Sequence, residues 1–117
     1  MSAEYRKIIV TGITGQDGSL MSELLSRDDK NKVYGVTRPS ASLNLDNLQG
    51  CIKRSHFEIL QGDLTDEVSI NEIVKKVNPD FYINFAAHSF VGDSWNHPMK
   101  VFDVNTSGVI RSLEAIR

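Results

Sequence analysis

The chain has 117 residues, 40% hydrophobic and 24% charged, with a formal net charge of -2; that length holds one domain at most, with a real core. The near-neutral balance excludes the electrostatic footprint of a nucleic-acid or anionic-membrane binder, and no apolar run approaches the roughly 20 residues of a membrane span. A single cysteine, Cys51, excludes an intrachain disulfide and fits a reducing compartment, and without a charged-then-apolar leader the expected location is cytoplasmic.

In chain order, Lys7 to Thr11 reads as a strand apolar enough to be central in a parallel sheet. Gly18 to Ser26 reads as a helix with Leu20, Met21, Leu24 and Leu25 on its inner face. A polar turn over Asp28 to Lys32 leads to a second strand, Val33 to Thr37. Arg38 to Ser42 is a loop broken by Pro39, and Leu43 to Cys51 is a candidate short helix with Leu45 and Leu48 inward. Phe57 to Leu60 is a third strand, with Gly62-Asp63-Leu64-Thr65 as its exit loop. Ile70, Ile73, Val74 and Val77 fall at helical spacing, with Ser69 and Glu72 as a capping box and Pro79 as the stop. Phe81 to Phe85 is a fourth strand. Pro98 to Arg117 reads as a long helix with Val101, Val104, Val109, Ile110, Leu113 and Ile116 near one face. Alternating strands and helices of this length require parallel crossovers. The expected fold is α/β, a Rossmann-like doubly wound parallel sheet of about four strands, part of the usual dinucleotide fold.

The glycine loop carries the chemistry. Ile8-Ile9-Val10-Thr11-Gly12-Ile13-Thr14-Gly15-Gln16-Asp17-Gly18-Ser19 is an apolar run ending in glycines three apart, followed at once by an amphipathic stretch. That pattern lays a pyrophosphate on the N–H groups of a helix N-terminus, with Thr14, Gln16 and Asp17 supplying N–H groups beside Gly12, Gly15 and Gly18. A structural strand-to-helix turn is the plainer alternative. The Asp17 carboxylate is expected to turn away and cap the helix.

Some 20 residues on, where an acid binds the ribose 2′-hydroxyl of NAD, stand Thr37 and Arg38. A guanidinium there attracts a 2′-phosphate, with hydroxyls on Thr37 and Ser40 beside it, and favours NADP; a solvated loop arginine is the alternative. Asp63 and Leu64 offer an acceptor and an apolar side chain for an adenine, or a turn acid leading into the next helix. Phe85-Ala86-Ala87-His88-Ser89 places small residues after the fourth strand, suited to a flat cofactor and a sugar, or to close helix packing. His88 is read as a polar loop histidine, and His56 and His97 as surface residues. No grouping of histidine, cysteine and carboxylate has metal-ligand spacing, so no metal is expected.

Together these residues resemble the extended short-chain dehydrogenase/reductase family, and within it the GDP-mannose 4,6-dehydratase family. The resemblance rests on Thr11 to Ser19, Thr37-Arg38-Pro39-Ser40, Gln61 to Asp66, Asn84 to Val91, Ser94-Trp95, Pro98, Gly108 and Leu113 to Arg117. It implies NADP at Gly12, Thr14, Gly15, Gln16, Asp17, Gly18, Arg38, Ser40, Asp63, Leu64, Phe85, Ala86, Ala87 and Ser89. It also implies GDP-mannose as substrate of the intact enzyme, which loses water to give GDP-4-keto-6-deoxymannose. Pro39, Phe90, Lys100 and Asn105 depart from the family pattern. The catalytic Tyr-x-x-x-Lys that the resemblance implies does not occur: Tyr5, Tyr34 and Tyr82 are followed four residues on by Ile9, Arg38 and Ala86. The expectation is an N-terminal NADP-binding portion with no catalytic residue of its own. Alternatives are a stand-alone nucleotide-binding or assembly module, and the corresponding part of another sugar-nucleotide epimerase or reductase. In the family-like strand order 3-2-1-4, an apolar fourth-strand edge and the last helix predict self-association as a homo-oligomer.

Overall fold

The computed structural model describes residues 5–38, 48, 56–85, 99 and 103–117. Four strands form one parallel sheet: β1 (Arg6–Thr11), β2 (Asn31–Thr37), β3 (Phe57–Gln61) and β4 (Phe81–Asn84), in the order β3-β2-β1-β4. This is the doubly wound arrangement read from the alternation of elements. The central strand β1 pairs with β2 from Arg6↔Asn31 to Thr11↔Val36 and with β4 from Ile8↔Phe81 to Thr11↔Asn84. Its residues Ile8 to Thr11 are all buried, as a strand covered on both faces requires.

The two faces carry separate cores. Ile8, Val10, Ile13, Val33, Leu48 and Phe57 form one, with Leu25 of helix α1 (Gln16–Ser26) packed against it. Ile9, Val36 and Leu64 form the other with Ile70, Ile73, Val74 and Val77 of helix α2 (Glu67–Val77). Ala115 of helix α3 (Gly108–Ile116) joins that side, and a π-helical turn over Asp103–Ser107 leads into α3. Leu48 lies inward as expected; the remainder of Leu43 to Cys51, Leu45 included, falls outside the described residues.

Two local expectations are corrected, in helices α1 and α2. Helix α1 buries Gly18, Ser19, Ser22 and Ser26, while Leu20 and Leu24 are each 58% exposed. Small residues four apart let the helix axis lie close on the sheet, and leucines there would hold it off. Helix α3 buries Gly108 and Ser112, while Val109, Ile110, Leu113 and Ile116, expected near one face of the last helix, are exposed, as the predicted self-association requires. Helix α2 begins earlier than its assigned capping box. Asp66 is the cap, its carboxylate accepting from the N–H groups of Val68 (3.1 Å) and Ser69 (3.4 Å). Asn78, left-handed at φ 50, closes the helix ahead of Pro79. Among the described residues no helix is long and apolar enough to cross a membrane.

Candidate functional site

All four strands run the same way, so their carboxyl ends share one edge of the sheet. The register puts Thr11 beside Val36 and Asn84, and Thr37 beside Gln61. The residues that follow are Gly12, Arg38, Gly62-Asp63 and Phe85, and the fold therefore brings these sequence-predicted positions to one edge. Between β1 and β4 the strand order reverses, and an open α/β sheet has its ligand crevice at such a point. There the Thr11 hydroxyl donates to the Asn84 side-chain oxygen, and the Phe85 N–H donates to Thr11 Oγ1 at 3.1 Å and to the Thr11 carbonyl at 3.3 Å. The sequence reading assigned Thr11 and Asn84 no role. Their pairing follows from the strand order, which makes the ends of β1 and β4 neighbours.

The three glycines differ in what each is for. Gly12 sits at φ 69, a conformation L side chains rarely adopt. A Cβ on Gly18 would lie 2.1 Å from the Gly12 carbonyl oxygen and 2.7 Å from its carbon, so α1 could not seat against the loop. Gly15 has neither reason. Its φ is -79 and ψ 172, open to any residue, and among the described residues a Cβ there would meet only the Gly12 oxygen, at 3.4 Å. Neither the backbone nor the described packing requires a glycine at this position.

Gly15 is also the N-cap of α1, and it carries no side chain to satisfy the helix. The first helical bond is Ser19 N–H to the Gly15 carbonyl, at 3.0 Å. The N–H groups of Gln16, Asp17 and Gly18 therefore lack intrahelical acceptors. With the partial positive charge of the helix end they fit an anion. Asp17 is not the cap: it lies exposed in the first turn, two residues past the cap position. Thr14 is half-buried in the loop between Gly12 and Gly15.

Arg38 is exposed and is the first residue past β2. The Gly62 N–H donates to the Thr37 carbonyl at 2.9 Å, which holds the end of β3 beside it. Asp63 forms a tight turn: its Oδ1 accepts from the Thr65 N–H at 2.9 Å and the Thr65 hydroxyl at 2.7 Å. Leu64 is buried in the core. Phe85 is exposed at the end of β4. Ser40, Ala86, Ala87 and Ser89, with His88 and His97, fall outside the described residues. His56, expected at the surface, has a side chain only 13% exposed, its Nε2 3.4 Å from Asp29 Oδ1. Among the described residues no three His, Cys, Asp or Glu side chains group as a metal site. Burial pushes the Tyr82 hydroxyl above its ordinary pKa, partly offset by its hydrogen bond with Ser112 Oγ at 2.7 Å. That direction is opposite to the one an activated catalytic tyrosine needs.

Residues 9–117 match the family model described as GDP-mannose 4,6 dehydratase. The chain belongs to this family. GDP-mannose 4,6-dehydratase of Yersinia enterocolitica is 37% identical over 96% of the chain. GDP-mannose 4,6 dehydratase 1 of Arabidopsis thaliana is 36% identical over 96%. The chain covers 31% of the first relative's length and 33% of the second's, so it spans about a third of the GDP-mannose 4,6-dehydratases it matches. Among solved structures, a UDP-glucose-4-epimerase from Stenotrophomonas maltophila with bound NAD and formylated UDP-arabinopyranose superposes with a TM-score of 0.79 at 27% identity. That match covers 96% of this chain and 33% of the epimerase. The Bordetella bronchiseptica enzyme WbmH, in complex with NAD+, gives a TM-score of 0.78 at 25% identity, covering 96% of this chain and 35% of that one.

Proposed function

We propose that this chain is the NADP-binding, N-terminal portion of a GDP-mannose 4,6-dehydratase, a single dinucleotide-binding domain over residues 1–117. The observation that carries the reading is Gly15, a glycine that no described residue requires, at a helix N-terminus with no side-chain cap beside the switch point of the sheet. In this reading the N–H groups from Gln16 to Gly18 hold the pyrophosphate, and the absence of a Cβ on Gly15 lets it approach. Asp63 faces the adenine end, and Phe85 begins the segment beside the nicotinamide and sugar. Arg38, with Ser40, takes the 2′-phosphate. When bound, the dinucleotide would supply the hydride acceptor and donor for an intact enzyme acting on GDP-mannose, with the groups above holding it in place.

The reading assigns this chain binding rather than turnover. No tyrosine in it has a lysine four residues on, and without that pair no phenol is prepared as the acid/base for hydride transfer. The family match supports the dehydratase over the epimerases. The NAD-bound epimerases among its structural neighbours make the cofactor the point to test. Titration of the chain with NADPH and NADH should favour NADPH by about tenfold to a hundredfold, the span of one charge-assisted contact. Arg38→Asp should reverse the order. Equal affinities for the two cofactors would defeat the NADP assignment, and no binding of either would defeat the reading as a whole. Self-association through β4 and α3 belongs to the same proposal.

A further inference from the structure

Arg111 lies in α3, outside the glycine loop and outside every residue singled out from the sequence. Its guanidinium nevertheless reaches across 47 positions to the loop that follows β3. Nη1 donates to the Leu64 carbonyl at 2.7 Å and contacts the Asp103 carbonyl at 3.5 Å; Nη2 donates to Asp103 Oδ1 at 2.6 Å. The pair is about two-thirds or more shielded from solvent, so the contact is firmer than a surface ion pair. Gly108 brings α3 onto the same spot: a Cβ on it would lie 2.9 Å from Leu64 Cβ.

The carbonyl that Arg111 holds belongs to the peptide unit joining Leu64 to Thr65. That unit is planar, so fixing its C=O fixes the opposite N–H. The N–H in question is the Thr65 donor that binds Asp63 Oδ1 at 2.9 Å. Asp63 is anchored on its other side by its own N–H, which donates to Ser69 Oγ at 3.1 Å. One rigid plane thus links the guanidinium to the carboxylate.

We infer that Arg111 is a positioning residue for the adenine end of the site, setting the orientation of the Asp63 carboxylate through the Leu64–Thr65 peptide. The inference rests on the dinucleotide reading above. A carboxylate so aimed accepts a hydrogen bond from the exocyclic amino group of adenine. Hypoxanthine carries an oxygen there and cannot donate.

The test is the ratio of affinities for the reduced dinucleotide the chain prefers and for its hypoxanthine analogue. The unmutated chain should favour adenine about tenfold, the worth of one hydrogen bond to a charged acceptor. Arg111→Leu and Asp63→Ala should each bring the ratio near one, and the double variant should lower it no further. Arg111→Lys, which keeps the charge but not the fork, should restore part of it. Val77→Ala, which opens a cavity elsewhere in the α2 core, should lower the thermal midpoint and leave the ratio unchanged. An Arg111→Leu chain that keeps the unmutated ratio overturns the inference. So does an unmutated ratio of one, which leaves dinucleotide binding standing. Failure of the unmutated chain to bind either dinucleotide overturns the inference together with the reading beneath it.

Discussion

The three loop glycines are the same residue for three separable reasons, and substitution should separate them. At Gly18 an added Cβ meets backbone 2.1 Å away, which cannot yield as a flexible side chain would. Gly18→Ala should cost at least about 1–3 kcal/mol, the range of overpacking in a dense interior. At Gly15 the backbone angles suit alanine, and among the described residues the added methyl meets only the Gly12 oxygen at the edge of ordinary contact. A stiffer unfolded chain offsets a poorer N-cap, so Gly15→Ala should stay within about 1 kcal/mol of the parent. Its dinucleotide affinity should fall tenfold or more. Urea denaturation and cofactor titration of both variants check this; a Gly15→Ala chain that binds normally would mean the space is not used. The glycine spacing was legible in the sequence because each reason demands the same side chain. Which reason applies at which position was not, because it depends on where the α1 backbone lies.

Helix α1 shows why a correct element can carry a wrongly assigned face. Its leucines are the larger apolar residues, so periodicity alone turned them inward; Leu25 does pack against the core, but Leu20 and Leu24 are exposed. The sheet instead takes the face of Gly18, Ser19, Ser22 and Ser26. Ser19 and Ser26 donate their hydroxyls to the carbonyls of Gln16 and Glu23, each at 3.0 Å, whereas Ser22 Oγ is buried without a partner. Ser22→Ala removes an unsatisfied hydroxyl and improves helix propensity, and should stabilise the chain by about 1 kcal/mol. Ser22→Leu should instead cost about 1–3 kcal/mol by forcing the helix off the sheet. Leu20→Gln, at the exposed face, should stay within about 0.5 kcal/mol. Thermal melts of the three rank them; a strongly destabilised Leu20→Gln would return the leucine face to the interior. Such ledges of small residues escape a hydrophobicity pattern because close approach depends on volume rather than polarity.

For the molecule as a whole, β4 and α3 carry part of the exposed apolar surface. Among the described strands β4 pairs only with β1, and Phe81 on it is exposed. On α3, Ile110 is 61% and Leu113 63% exposed, with Val109 and Ile116 beside them. Apolar area of that extent on a small domain favours association, and a two-fold pair is the simplest closed arrangement. Light scattering at micromolar concentration should give a mass near twice 13.1 kDa or more. The double variant Ile110→Lys, Leu113→Lys should shift it toward the single chain without loss of the fold. A parent that stays monomeric would show that this surface needs no cover.

The parallel sheet and the glycine loop could be derived from the chain alone because they rest on local pattern and on the length of the crossovers, both written residue by residue, whereas the strand order came from the family resemblance. The short-range capping of α2 was misplaced by only three residues, since Asp66 and Ser69 are both caps by type. The tertiary structure alone decided which face of α1 is buried, that no described residue requires Gly15 to be glycine, and that Arg111 reaches Leu64. Each of these depends on groups brought together from distant parts of the sequence, and a pattern of 3.6 or 2 residues holds no information about what stands on the other side of the contact.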